Sequence, residues 1–540
     1  MGGNVAIVLN EIPHSIGTYF DDDNPLGPVA AEYIGDREVA AYLITLENDA
    51  FGELFQGTPI LFGRKGAGKS SIINSFQYAH GIKSQTALAL DRTPKAVNPK
   101  SETDLRRDYD IIVKVDASRE ISHVHAQVRS SSLPLPELAA AAWTRRLWLN
   151  ALSAVSVRPD LIDKFEPQLK QLLIKLSSML SRLVSTDGDS HYFDEWLDLG
   201  KLSIPNADVL LAELRKAFEA HKLSVLFLID TMEEYNLLFD DALKTTIGGL
   251  LYLVGRHDKH IHYKVAFPYE IFDSVRLEGN PEKFILRSTT IRWTPTQLVH
   301  IVTRRMLLCL YLYDNESLAE ILAEGKYTEG RRANFEFWGE IFGGEIVNEA
   351  HDPEPPLYYV LRHTQLLPRQ LINSLSRLVK LSKTELRSFR HINPEVIEES
   401  MKISSNDLVG GVESGFKHTY TGIGEVFETY LSRCDVVMTY GDMHKAYASS
   451  SVKRGPEYTH SFYDFLRALL HMGVFGVIVG EGTTKYIEAA FSYGDDTVMR
   501  AFQERSFAMH PAFSLLYKQP DDRLKPGRAV LPLGSNEGLE

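Results

Sequence analysis

The segment Ile60–Ile73, ILFGRKGAGKSSII, constrains the fold of this chain more than any other. Within it Gly63-Arg64-Lys65-Gly66-Ala67-Gly68-Lys69-Ser70 fits the spacing G-x-x-x-x-G-K-[ST]. An apolar run, TPILFG, leads in, and a helical pattern, KSSIINSFQYAH, leads out. A buried strand, a glycine turn and a helix start in that order aim backbone N–H groups at an anion, with the positive end of the helix dipole behind them. Gly63, Gly66, Ala67, Gly68, Lys69, Ser70 and Ser71 are therefore the candidate phosphate-binding residues. Lys69 would reach the β- and γ-phosphates, and the Ser70 hydroxyl would hold Mg²⁺.

A strand that feeds such a loop needs a sheet around it. YDIIVKVDAS, LSVLFLIDTMEEY, IHYKVAFPYE and STTIRWTP read as four further strands. DDALKTTIGGLLYLVGRH reads as a helix between two of them. Strands alternating with helices predict an α/β fold with a parallel sheet covered on both faces. Residues 119–222 have helical spacing almost throughout and are expected to form a large helical insertion in a core spanning 51–295. Residues 1–50 form an entry segment, and 296–409 read as a helical lid with a helix pair hinged near Pro368. From 410 to 518, SFYDFLRALLHMGVFGVIVGEGTTKYIEAAFSY gives an amphipathic helix and two strands about a Gly-Thr-Thr turn, a winged-helix-like pattern. Residues 519–540, rich in Pro, Gly and charge, are expected to be a flexible tail.

The second strand of chemical interest is VLFLID. Its apolar run ends in Asp230, where a carboxylate would join the Mg²⁺ shell through water. Glu233 and Glu234 follow, and either would polarise an attacking water, Glu234 being the first choice. The same two residues would also serve as ordinary acidic residues at a helix start.

Bulk properties exclude several classes. With 540 residues, 44% hydrophobic and 24% charged, the chain can bury a large core. A net charge of −13 argues against a surface that is one broad nucleic-acid footprint. Cys309 and Cys434 are the two cysteines, and neither sits in a Cys/His cluster, so neither a disulfide framework nor a structural zinc is expected. That usage suits a reducing cytoplasm. No basic-then-apolar leader and no uncharged apolar run of about 20 residues is present, so neither a secretory signal nor a membrane span is expected. The histidine pairs His260/His262 and His123/His125 read as structural, and His510 in FAMHPAF as a local cap or hydrogen-bonding group.

GRKGAGKS, LFLIDTMEEY, TTIRWTPTQLVHIVTRRM, LLPRQLI and FAMHPAF, in this order from about Tyr19 to Tyr517, resemble a family of bacterial P-loop ATPases related to the STAND and AAA+ branches of the ASCE NTPases. The resemblance implies ATP and Mg²⁺ as cofactors, hydrolysis of the β–γ bond, and homo-oligomerisation. Pro368-Arg369 looks like the sensor-two element, which would bring Arg369 to the γ-phosphate. An arginine from a neighbouring subunit would complete the site, with Arg276 and Arg287 as candidates and Arg304 and Arg305 as alternatives. The chain departs from the family in two places. Glu233 stands at the fourth position of D-x-x-D-E, and VAFPYE offers no Asn, Ser or Thr for sensor one, which suits a slow switch better than a motor.

No nuclease, protease or TIR-like motif is visible, so a switch of this kind would act on a separate effector, and related architectures act in bacterial anti-phage defence. Two other functions compete with it. A DNA-acting ATPase would use the winged helix, but SFYDFLRALLHMG carries only Arg467, with Lys453 and Arg454 just upstream. A scaffold that binds nucleotide without turnover is the other, and intact Lys69, Ser70, Asp230 and Glu234 argue against it.

Overall fold

The computed structural model describes residues 14–29, 33–34, 43, 48–55, 57–73, 109–130, 136–156, 158–171, 173–174, 207–230, 241–256, 260–271, 288–323, 331–386, 389–417, 420, 422–449, 462–480, 486–493, 505–518 and 529–534. The chain divides into two compact units. One comprises Asp49–Phe62 and Ile72–Thr290; the other comprises Met1–Asn48, Gly63–Ser71 and Ile291–Glu540.

The first unit is a mixed α/β body. Its strands are β1 (Ile60–Gly63), β2 (Ile111–Asp116), β3 (Val225–Asp230), β4 (Ile261–Pro268) and β5 (Ser288–Thr290). They form one parallel sheet in the order β2-β3-β4-β1-β5, as the alternating pattern predicts. Its helices include α1 (Asp49–Phe55), α2 (Ala117–Arg129), α3 (Pro136–Ser156), α4 (Ala207–Ala220) and α5 (Asp241–Val254). A parallel strand buried on both faces needs consecutive apolar residues, not alternation. β3 meets that demand: its first five residues are buried and only Asp230, at the tip, is partly exposed.

The helices close onto the sheet through small residues and a few buried polar links. A methyl group at Gly249 of α5 would lie 2.4 Å from Ala139 Cβ of α3, so glycine permits the two helices to touch there. Trp143 Nε1 of α3 donates to the Thr246 carbonyl of α5 at 2.8 Å. Glu120 of α2 accepts from Arg146 of α3 at 2.6 Å and from Asn150 at 3.0 Å, so this buried charge is paired and hydrogen-bonded. Lys264 interrupts the apolar run of β4. Its buried amine is satisfied by the Leu54 carbonyl at the end of α1 and by the Thr58 carbonyl at 2.8 Å.

The second unit holds α6 (Pro295–Tyr313), β6 (Ile346–Val347), β7 (Pro353–Glu354), α7 (Pro356–Arg362), α8 (Pro368–Leu386) and α9 (Pro394–Phe416). Thr294 caps α6 with a full capping box, its hydroxyl accepting from Gln297 N and the Gln297 side chain from Thr294 N. After α9 come β8 (Val437–Thr439), α10 (Phe462–His471), β9 (Phe475–Gly480), β10 (Tyr486–Ala490), β11 (Ser506–Met509), α11 (Pro511–Tyr517) and β12 (Ala529–Pro532).

Helix α10 and the antiparallel pair β9–β10 match the helix and two strands read from the sequence. They belong, however, to a five-stranded sheet of order β12-β10-β9-β11-β8. The tail expected to be flexible supplies one edge of it: Ala529–Pro532 pairs in parallel with β10, and all four residues are buried. The short apolar run AVLP outweighs its Pro- and Gly-rich surroundings once a partner strand offers both hydrogen bonds and an apolar face. Among the described residues, no helix is long and apolar enough to cross a membrane.

Candidate nucleotide site

The glycine loop is fully described and lies in the second unit from Gly63 to Ser71. It leaves β1, turns through residues 64–68 and becomes helical at Lys69. Ala67 N donates to the Arg64 carbonyl at 3.0 Å, closing the turn. Gly66 and Gly68 have φ of 87° and 91°, a region that side-chain-bearing residues avoid. A methyl at Gly66 would also sit 3.1 Å from Arg369 Cβ. The Lys69 amine folds back over the turn and donates to the Arg64 carbonyl at 3.1 Å, and only 4% of the residue is exposed.

Three residues brace this turn. Trp293, just beyond β5, donates from Nε1 to the Ala67 carbonyl at 2.8 Å. Arg369 N approaches the Gly66 carbonyl at 3.4 Å from the first turn of α8. Arg64 points away from the turn into the body of the unit. Its guanidinium donates to Gln365 Oε1 at 3.3 Å, to the Met472 carbonyl at 3.2 Å, to Ser492 Oγ at 2.9 Å and to the His471 carbonyl. It also lies 5.8 Å from the ring centres of both Phe416 and Tyr493. Thus an arginine at a variable position of the motif ties the loop to the end of α9, the end of α10 and the exit of β10.

The turn before α8 sets the position of Arg369. Leu366 adopts φ of 51°, unusual for leucine, and its N–H is held by Thr364 Oγ1 at 3.2 Å. Gln370 Oε1 accepts from Gln365 N at 2.7 Å. Buried Arg362 anchors the preceding helix by donating to Glu354 at 2.9 Å and to Glu349 at 2.5 Å. Lys65 reaches Ser414 Oγ of α9 at 3.2 Å.

In the sheet-bearing unit, Asp230 closes β3 and pairs in register with Asp116, which closes β2. Asp116 caps α2, accepting from Ser118 N at 3.0 Å and Ser118 Oγ at 2.6 Å. Two carboxylates therefore stand at neighbouring strand tips. Glu233, Glu234, Arg276 and Arg287 lie outside the described residues, as do Lys453 and Arg454.

Arg305 is not available as an arginine for a neighbouring subunit. It is 7% exposed and donates to the Leu26 and Pro28 carbonyls, each at 2.8 Å, pinning the N-terminal segment onto α6. Burial, with Arg304 beside it, lowers its pKa to about 10. Helical spacing explains the difference from Arg304: Arg305 shares a face with buried Leu298, Ile301, Val302 and Cys309.

Sequence reasoning missed Arg64 and Trp293 as loop supports. A lone arginine at an x position of the motif carries no signal, whereas an isolated tryptophan directly after the fifth strand does mark a packing site. His510 caps α11, accepting from Ala512 N at 3.2 Å, and its Nε2 lies 3.2 Å from the Thr364 carbonyl. No protein-family model matches the chain, and no curated protein is significantly similar to it in sequence.

Two buried histidines near the loop supports make acid a probe of this unit. Burial, reinforced by Arg64 and Arg467, pushes His471 down to about 3. Burial, with His363 nearby, does the same to His510, also to about 3. A base whose pKa falls on folding is protonated first in the unfolded state. The stability it preserves is complete above the unfolded value near 6.5, and is lost as pH falls from there toward 3. Each histidine should cost roughly 2 kcal/mol by pH 5. Urea midpoints for the second unit at pH 7 and pH 5 test this, and a His471→Gln variant should show about half the wild-type drop. Equal midpoints at the two pH values would contradict the assignment of buried neutral histidines.

Proposed function

We propose that this chain binds ATP with Mg²⁺ at the Gly63–Ser71 loop and hydrolyses it slowly, as a switch. The observation that carries the reading is the built loop itself. Two glycines hold positive φ, the Lys69 amine curls over the turn, and a helix starts at Lys69. Such a loop presents its N–H groups and one ammonium to a polyphosphate. Further support comes from the parallel sheet, in which β1 feeds the loop and β3, separated from it by β4, ends in Asp230. Asp230 at the tip of β3 would hold the Mg²⁺ shell, with Glu234 or Glu233 polarising the attacking water. Ser70 would supply the metal's hydroxyl ligand.

Arg369 is proposed as the residue that reads the γ-phosphate. Its backbone sits against Gly66 and its side chain is half-buried beside the turn. An Arg369→Ala protein should hydrolyse ATP about 10²-fold more slowly while ADP affinity changes little, because the lost charge acts where negative charge develops. Phosphate release and calorimetric ADP titration separate the two effects. Unchanged turnover would remove Arg369 from the mechanism.

The switch would act by assembly and through a separate effector, with Arg276 or Arg287 reaching a neighbouring copy. A bacterial, cytoplasmic setting in anti-phage defence is part of the same proposal. The DNA-acting reading gains nothing from α10: its exposed positions Tyr463, Asp464 and Arg467 include one cation and one carboxylate. A scaffold without turnover remains distinguishable, since it would bind ATP and release no phosphate.

A further inference from the structure

The helical layer of the sheet-bearing unit carries a cleft of about 540 Å³ among α3, α4, α5 and the start of β4. Three guanidinium groups line it, Arg145, Arg215 and Arg256, against one carboxylate, Glu137. In a chain of net charge −13 this is a local reversal of sign. Three aromatic rings, Trp148, Tyr252 and Tyr263, share the lining.

The rings are fixed from behind. Trp148 is buried and packs edge-on against Phe218 at 5.4 Å and Phe227 at 6.3 Å. Tyr263 stacks on Phe227 at 5.8 Å. Two of the cations are held in turn by the rings. The Arg215 guanidinium lies 5.8 Å from the Trp148 ring centre, and that of Arg256 lies 4.8 Å from Tyr252, to whose hydroxyl it donates at 3.0 Å. Arginine stacked in this way keeps unused N–H groups in a fixed fork, which suits a phosphate, while a flat ring beside it suits a base. The alanines of the lining, Ala141 and Ala212 among them, keep the mouth open.

The cleft lies at the far end of the sheet from the acidic strand tips. Ile261, in its lining, pairs with Val225, the first residue of β3, whereas Asp230 is the last. Five residues of strand separate the two, about 17 Å.

We propose that this cleft binds a phosphorylated nucleoside, with Arg215 and Arg256 on the phosphate, Arg145 assisting, the half-buried Tyr252 ring against the base, Trp148 and Tyr263 forming the fixed apolar floor, and Glu137 at the mouth accepting from a base N–H. The site is independent of the glycine loop and of the ATPase reading. A ligand there would bridge three helices of the unit and so couple nucleotide level to the rigidity of that layer.

The test uses the full chain carrying Lys69→Ala, in EDTA, so that the glycine loop does not contribute. AMP, GMP, CMP and UMP are each titrated by calorimetry, with inorganic phosphate as the partial ligand. At least one monophosphate should bind well below about 1 mM and more tightly than phosphate alone. Adding Arg215→Ala and Arg256→Ala should weaken it by about tenfold or more. Ala141→Glu, which places a carboxylate at an exposed position of the mouth, should do the same without removing any packing group. Failure of all four monophosphates at about 1 mM, or undiminished binding, relative to the Lys69→Ala parent, by the arginine variants or by Ala141→Glu, would overturn the proposal.

Discussion

Lys69→Ala is expected to lower ATP turnover by about 10²-fold or more and to weaken Mg-ATP binding in parallel. The lysine amine is held at the turn, 3.1 Å from the Arg64 carbonyl and almost wholly buried. A bound β-phosphate would compete for that ammonium with a neutral carbonyl, and the charged acceptor makes the stronger bond. Alanine removes the only side-chain cation at the motif's seventh position and leaves the glycine geometry alone. The hydrogen bond to the Arg64 carbonyl contributes about 1 kcal/mol, and the variant is expected to remain folded. The decisive measurement is phosphate release alongside fluorescent-nucleotide binding, with unfolding midpoints as the control. Turnover within twofold of wild type in a folded variant would mean that the loop is not where ATP is cleaved.

Much of the sheet-bearing unit was legible because its information is local. Buried parallel strands announce themselves as pure apolar runs, and VLFLID and TPILFG do so in a few residues. The glycine loop was legible for the same reason, since its geometry is written into adjacent positions. What escaped depends on distant partners. Arg64 is 301 residues from Gln365 and 428 from Ser492, and nothing around it in sequence marks it as buried. β12 became a strand only because β10 offers it an edge. Arg305 was the intermediate case. Its helical neighbours at three and four residues, Ile301, Val302, Leu308 and Cys309, are all apolar, whereas Arg304 has His300 among its own, a narrow difference that a period count would register.

That long-range arginine gives the second large effect. Arg64→Met should destabilise the second unit by about 3 kcal/mol, a large share of a typical domain's stability. The substitution keeps most of the apolar stem between Phe416 and Tyr493 but removes every donor. The carbonyls of His471 and Met472 and the side chain of Gln365 each lose a donor in a buried setting, and an abandoned acceptor there costs about 1–3 kcal/mol. Gln365 also bonds the Met472 carbonyl at 3.0 Å, and Ser492 Oγ bonds the Leu470 carbonyl at 2.6 Å, so the loss is shared and falls short of the full sum. The same variant should loosen the glycine turn, because the Arg64 carbonyl closes it and receives the Lys69 amine. Nucleotide affinity should fall even at temperatures where the protein stays folded, and excess Mg-ATP should restore part of the lost stability by mass action if the loop binds it. Thermal unfolding with and without Mg-ATP reads both effects at once. A variant with wild-type midpoint and affinity would show that the guanidinium is dispensable, and that contacts such as those of Trp293, Arg369 and Lys65 suffice to hold the loop.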